Sequence, residues 1–99
     1  MTEPATQPLV TPARVTAWLH GRVQGVGMRW WIRARALELG LVGWARNLDD
    51  GRVEIVAEGP EVSCQALLEA LRGDPPGRIE RIVQRWSEPR GSEQGFEQR

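Results

Sequence analysis

Gly21, Gly25 and Gly27 lead directly into Arg29. Glycine admits backbone conformations closed to other residues, so successive N–H groups of such a loop can point to a common centre. A helix start just after the loop adds its own unpaired N–H donors, which suit a small anion. An arginine in the first helical turn can reach the same centre and hold two phosphate oxygens at once. The spacing is neither that of a Walker loop, which needs Gly-Lys followed by Ser or Thr, nor Gly-x-Gly-x-x-Gly, so nucleotide binding is disfavoured. On glycine spacing alone, the stretch reads equally as an anion cradle or as a tight turn followed by an incidental arginine.

The remaining inventory narrows the chemistry by elimination. His20 is the only histidine and Cys64 the only cysteine, so a multi-histidine or multi-cysteine metal site is excluded and no metal or other cofactor is expected. No Gly-x-Ser-x-Gly elbow occurs, and Ser63, Ser87 and Ser92 have no base in their surroundings, which removes a covalent serine nucleophile. Thirteen basic and thirteen acidic residues cancel, so neither nucleic acid nor an anionic membrane is expected as a partner and any anion site must be local. All the basic residues are arginine, so lysine chemistry is absent. No apolar run approaches the length of a membrane span. With no signal-peptide pattern and no internal disulfide possible, the expectation is a cytoplasmic protein.

These residues must be positioned by one small domain, since a chain of 99 residues supports a single modest core. Residues 1–12 are rich in Pro and Thr and read as a flexible leader, with the domain over 13–99. Ala13, Val15, Ala17 and Leu19 alternate with Arg14, Thr16, Trp18 and His20, the pattern of a strand with one buried face. Met28, Trp31, Ile32, Ala36 and Leu39 then form a helical stripe, stopped at Gly40. Val42 and Trp44, then Val53, Ile55 and Ala57, mark two strands joined across Asp49-Asp50-Gly51. Both aspartates are turn formers in such a hairpin, not an acid–base pair. Cys64, Leu67, Leu68 and Leu71 share a second helical stripe, which makes Cys64 a core residue.

Ile79 to Ser87 reads as a fourth strand, and a short fifth one is possible around Phe96. The order is β-α-β-β-α-β. This predicts an α+β class, ferredoxin-like split βαβ sandwich, with two helices on one face of a four- to five-stranded antiparallel sheet. Trp30 and Trp31 point about 100° apart on a helix and so cannot form one stacking platform. Trp31 belongs to the core stripe, and Trp30 falls near the rim of the loop site.

Gly21-Arg22-Val23-Gln24-Gly25-Val26-Gly27-Met28-Arg29 and Gly43-Trp44-Ala45-Arg46-Asn47, followed by Asp50-Gly51, together resemble the two signatures of the acylphosphatase family. The first is a Gly-Arg-Val-Gln-Gly-Val-x-Phe-Arg loop, with Met28 here in place of phenylalanine. The second is a Gly-Trp-Val-x-Asn strand, with Ala45 in place of valine. The resemblance spans about Val15 to Pro60 at motif strength, and the later elements are compatible with it through Trp86. It implies hydrolysis of the carboxyl-phosphate bond of acyl phosphates to a carboxylate and inorganic phosphate, without a metal or a phosphoenzyme. By position, Arg29 and the backbone N–H groups of Val23, Gln24, Gly25, Val26, Gly27 and Met28 would bind the phosphoryl group. Asn47 would orient the attacking water.

The inventory is consistent with that chemistry. The leaving group is a carboxylate with a pKa of about 4, which departs without a general acid, so His20 is not required as a base. The expected partners are a small acyl phosphate and inorganic phosphate, and the expected state is a monomer. Two other classes compete: a non-catalytic phosphate- or ligand-binding module with the same fold, and an RNA-binding split βαβ domain. Neutral charge and the lack of paired aromatics on a central strand count against the RNA binder.

Overall fold

The computed structural model describes residues 11–99. Seven elements follow in chain order: β1 (Pro12–Arg22), α1 (Met28–Glu38), β2 (Val42–Asn47), β3 (Val53–Pro60), α2 (Glu61–Leu71), β4 (Arg78–Ser87) and β5 (Phe96–Gln98). Pro12, expected in the leader, instead opens β1 opposite Pro60, and the Thr11 carbonyl accepts a hydrogen bond from the Glu61 N–H. The rest of the expected leader, residues 1–10, lies outside the described residues.

The strands form one sheet in the order β4-β1-β3-β2-β5. The inward residues of β1 and β3 meet the apolar stripes of both helices in a single core that includes Val15, Leu19, Ile32, Ile55, Leu67 and Phe96. α1 lies over β2 and β5, and α2 over β1 and β3, so both helices cover the same face. α1 ends as its glycine predicts. Gly40 has φ 73° and donates to the Leu37 carbonyl, while Leu41 donates to that of Ala36 and buries its side chain. Among the described residues no helix is long and apolar enough to cross a membrane.

The fifth strand departs from the expected antiparallel sheet. β4, β1, β3 and β2 pair antiparallel, but β5 runs parallel to β2, with Phe96 opposite Gly43 and Gln98 opposite Ala45. The cause lies in the connection. β4 ends at Ser87, in the row of Arg14, Glu58 and Val42, which is the end of the sheet where β2 begins. A chain that crosses along that row to the far edge can then run only in the direction of β2. The crossing also covers part of the face without helices: the Arg90 and Gly91 N–H groups donate to Glu58, and Glu93 lies 3.7 Å from Arg14. Arg14 and Thr16 are therefore buried, although the alternation of β1 puts them opposite the core.

Gly43 shows why β2 can pack so closely at this point. Its φ is 144°, and a Cβ there would fall 1.9 Å from the Val56 carbonyl oxygen. No larger residue fits without moving β3.

Candidate active site

The loop between β1 and α1, the first turn of α1 and the ends of β2 and β5 converge on one small cleft. Val23, Gly25, Gly27, Met28, Arg29, Trp30, Asn47 and Gln98 line its volume of about 100 Å³. Two larger depressions, of about 460 and 610 Å³, lie along Leu71–Ile82 and beside Thr11 and Trp86. Neither contains the glycine loop, Arg29 or Asn47, so residue chemistry and not size singles out the smaller cleft.

Local sequence explains how the cleft is built. Val23 and Met28 are buried and pin both ends of the loop into the core, while Gly25 and Gly27 carry its turns at φ 73° and 81°. A Cβ at either glycine would meet nothing within 4 Å, so backbone conformation and not crowding calls for glycine there. Gly27 is the N-cap of α1, and no side chain caps that end. Among the described residues, no hydrogen bond takes up the N–H groups of Gln24, Gly25, Val26 or Gly27. Such a cluster of free donors beside a helix start has the electrostatics of an anion site.

The side chain of Arg29, second residue of α1, makes a single hydrogen bond, from Nη1 to the main-chain oxygen of Arg99 at 2.8 Å. No aspartate or glutamate pairs with it among the described residues. Asn47 ends β2 opposite Val53 and reaches the same cleft, although eighteen residues separate it from Arg29. The sheet and α1 thus bring both expected side chains to one place.

Two further contributions escape sequence reasoning. Gln24, expected only as a backbone donor, uses its side chain to clamp the loop to the β2–β3 hairpin. Its Nε2 donates to the Leu48 carbonyl at 2.8 Å and to that of Arg52 at 2.9 Å. β5 brings Gln98 and Arg99 to the cleft, held by the Arg99 N–H on the Ala45 carbonyl at 2.7 Å and by Arg33 Nε on that of Phe96 at 3.0 Å. The motif contains Gln24, but nothing in its spacing tells which carbonyls the amide will find.

The residues set aside on sequence grounds lie elsewhere. Asp50 accepts hydrogen bonds from the Arg52 N–H and guanidinium, first the backbone one, and these hold its carboxyl below the ordinary value. That is turn chemistry. His20 sits 3.5 Å from Arg81 and does not line the cleft. Cys64 is buried against the Ala57 carbonyl, and burial first, then Glu58 and Glu61, pushes its thiol up to about 11. It is an inert core thiol.

Known proteins share both the sequence and the fold of this chain. A sequence model described as Acylphosphatase matches residues 15–98. A protein named acylphosphatase from Thermobifida fusca is 64% identical over 87 residues, covering 87% of this chain and 96% of the relative. One of the same name from Saccharopolyspora erythraea is 64% identical over 88 residues, covering 88% and 93%. The crystal structure of acylphosphatase from Bacillus subtilis superposes with a TM-score of 0.81 at 37% identity, covering 86% of this chain and 96% of that one.

Proposed function

This chain belongs to the acylphosphatase family and is an acylphosphatase hydrolase, and from that premise we propose how its own residues carry out the hydrolysis. Arg29 and the N–H groups of the loop Val23, Gln24, Gly25, Val26, Gly27 and Met28 bind the phosphoryl group of an acyl phosphate. Asn47 holds the attacking water through its side-chain amide, in line with the departing carboxylate. The supporting observation is the cleft itself, where a loop with unbonded N–H groups, an arginine without an aspartate or glutamate partner and an asparagine line one volume of about 100 Å³.

Phosphoryl transfer needs charge spread over equatorial oxygens to be stabilised and the nucleophile to be aligned. Fixed N–H dipoles and one guanidinium do the first, at no reorganisation cost when the reaction occurs. An amide that fixes the water does the second, by removing its translational and rotational freedom before the step. The water adds to phosphorus, the carboxyl-phosphate bond breaks, and the electron pair leaves with the carboxylate. Its low basicity makes protonation by the enzyme unnecessary. The reading extends to a monomer acting in the cytoplasm, a reducing compartment in which the lone free thiol of Cys64 is at home.

Hydrolysis of benzoyl phosphate in the presence of a chelator tests the proposal. The protein should turn it over well above the buffer rate. Asn47→Ala should lose turnover while still binding inorganic phosphate, whereas Arg29→Gln should weaken phosphate binding and turnover together. Undiminished kcat in the Asn47 variant would remove that residue from the mechanism.

A further inference from the structure

The cleft holds little more than the group it cleaves. Its volume of about 100 Å³ is far below the ~300 Å³ and more of sites that enclose a whole organic ligand. The acyl part of the substrate must therefore leave the cleft and lie on its rim.

That rim is polar except at one residue. Gly25, Gly27, Arg29, Asn47 and Gln98 present amides, backbone and charge, while Val23 and Met28 are buried and offer no surface. Trp30 is the exception, with 63% of its surface exposed. It is the most exposed large apolar side chain among the described residues, and the others, Leu37, Val62 and Val83, lie away from the cleft. Four arginine–tryptophan stacks cover Trp31, Trp44 and Trp18, but none involves Trp30. An indole left uncovered costs solvation free energy unless something apolar comes to lie on it.

We infer that Trp30 is the acyl-side subsite and that the enzyme prefers acyl phosphates whose acyl group is aromatic or bulky and apolar. This rests on the reading that the cleft binds the phosphoryl group. With phosphorus held by the loop and Arg29, the acyl carbon points outward past the first turn of α1, and a flat ring bonded to it stacks on the indole. A methyl group in the same place is too small to cover it.

The test compares kcat/KM for benzoyl, acetyl and succinyl phosphate in the wild type, Trp30→Ala and Trp30→Phe. Comparing each substrate across variants cancels the intrinsic reactivities of the three anhydrides. The benzoyl-to-acetyl ratio of kcat/KM should fall about three- to tenfold in Trp30→Ala, the size of one aromatic pair, and the change should appear in KM and not in kcat. Trp30→Phe should keep most of the ratio, because it retains a flat ring.

An unchanged ratio in Trp30→Ala would overturn the inference while acetyl phosphate turnover preserved the functional reading. So would a wild-type preference for succinyl phosphate that Trp30→Ala does not alter, since the arginines near the cleft would then select the acyl group. Absence of turnover on all three substrates would overturn both.

Discussion

Arg14 and Arg29 are two arginines on opposite faces of the same sheet, and their surroundings differ in one decisive respect. Arg14 is 5% exposed and lies directly across the β1–β3 ladder from Glu58, whose carboxylate it binds, with Glu93 as a second acid at 3.7 Å. Glu58 in turn accepts the N–H groups of Arg90 and Gly91. That centre is closed, because charge and donors are matched within the protein. Arg29 has one acceptor, the exposed Arg99 main-chain oxygen, and no aspartate or glutamate, beside a row of unbonded N–H groups. A closed centre holds the chain together, whereas one with surplus donors is complementary to an anion from outside.

The sharpest way to break this comparison is to open the closed centre. Glu58→Gln should lower stability by about 3–5 kcal/mol, because it leaves the buried Arg14 without its main partner. Denaturant unfolding reads that loss, and kcat for the remaining folded protein should stay close to wild type. The converse substitution, Arg29→Gln, should cost turnover about 100- to 1,000-fold with little change in the unfolding midpoint, since no aspartate or glutamate loses its partner and the one contact given up, to Arg99, is exposed. If it destabilised the protein as much as Glu58→Gln does, the contrast between the two arginines would collapse.

A third test uses pH. Burial opposes ionisation of Glu58, but the Arg90 N–H, the Arg14 guanidinium and the Gly91 N–H outweigh it and hold the carboxyl below its ordinary 4.5. The folded state thus releases this proton at a lower pH than the unfolded chain does. The stabilisation is complete above about pH 4.5 and is lost as the pH falls through the folded value. The melting temperature of the wild type should therefore drop more steeply on acidification below pH 4.5 than that of Glu58→Gln.

Smaller effects sharpen the picture of the open centre. Gln24→Ala removes two hydrogen bonds that tie the loop to the hairpin carrying Asn47, and should lower kcat about tenfold, with stopped-flow binding of phosphate less affected. Equal losses in both would mean that Gln24 merely supports the loop and does not align it with Asn47. Met28→Phe enlarges a fully buried side chain and should lower stability by about 1–3 kcal/mol, read from denaturant unfolding.

Much of this was legible in the residues. Alternation in β1, the stripes of α1 and α2, the Asp-Gly turn and the stop at Gly40 each follow from side-chain periodicity or from a backbone conformation that few residues adopt. The loop glycines and Arg29 allowed an anion cradle or a tight turn alike, and the paired motifs brought in the roles of Arg29 and Asn47 through family resemblance. The direction of β5 was not legible, because three paired residues carry no signal of parallel or antiparallel sense. Nor was the burial of Arg14, which β1 placed on its polar face.

By itself, the sequence determined where most of the helices and strands lie, which residue types could hold a phosphoryl group, and that no lysine is there to share the work. Those are local properties, set by periodicity, glycine conformations and the side-chain inventory. Only the tertiary structure decided that Asn47 and Arg29 face one cleft, that Gln24 clamps it, that Glu58 closes around Arg14 and that Trp30 stands uncovered on the rim. Each of these depends on strand register and on where a crossing segment comes to lie, and such contacts form between residues far apart in the chain, where spacing carries no information.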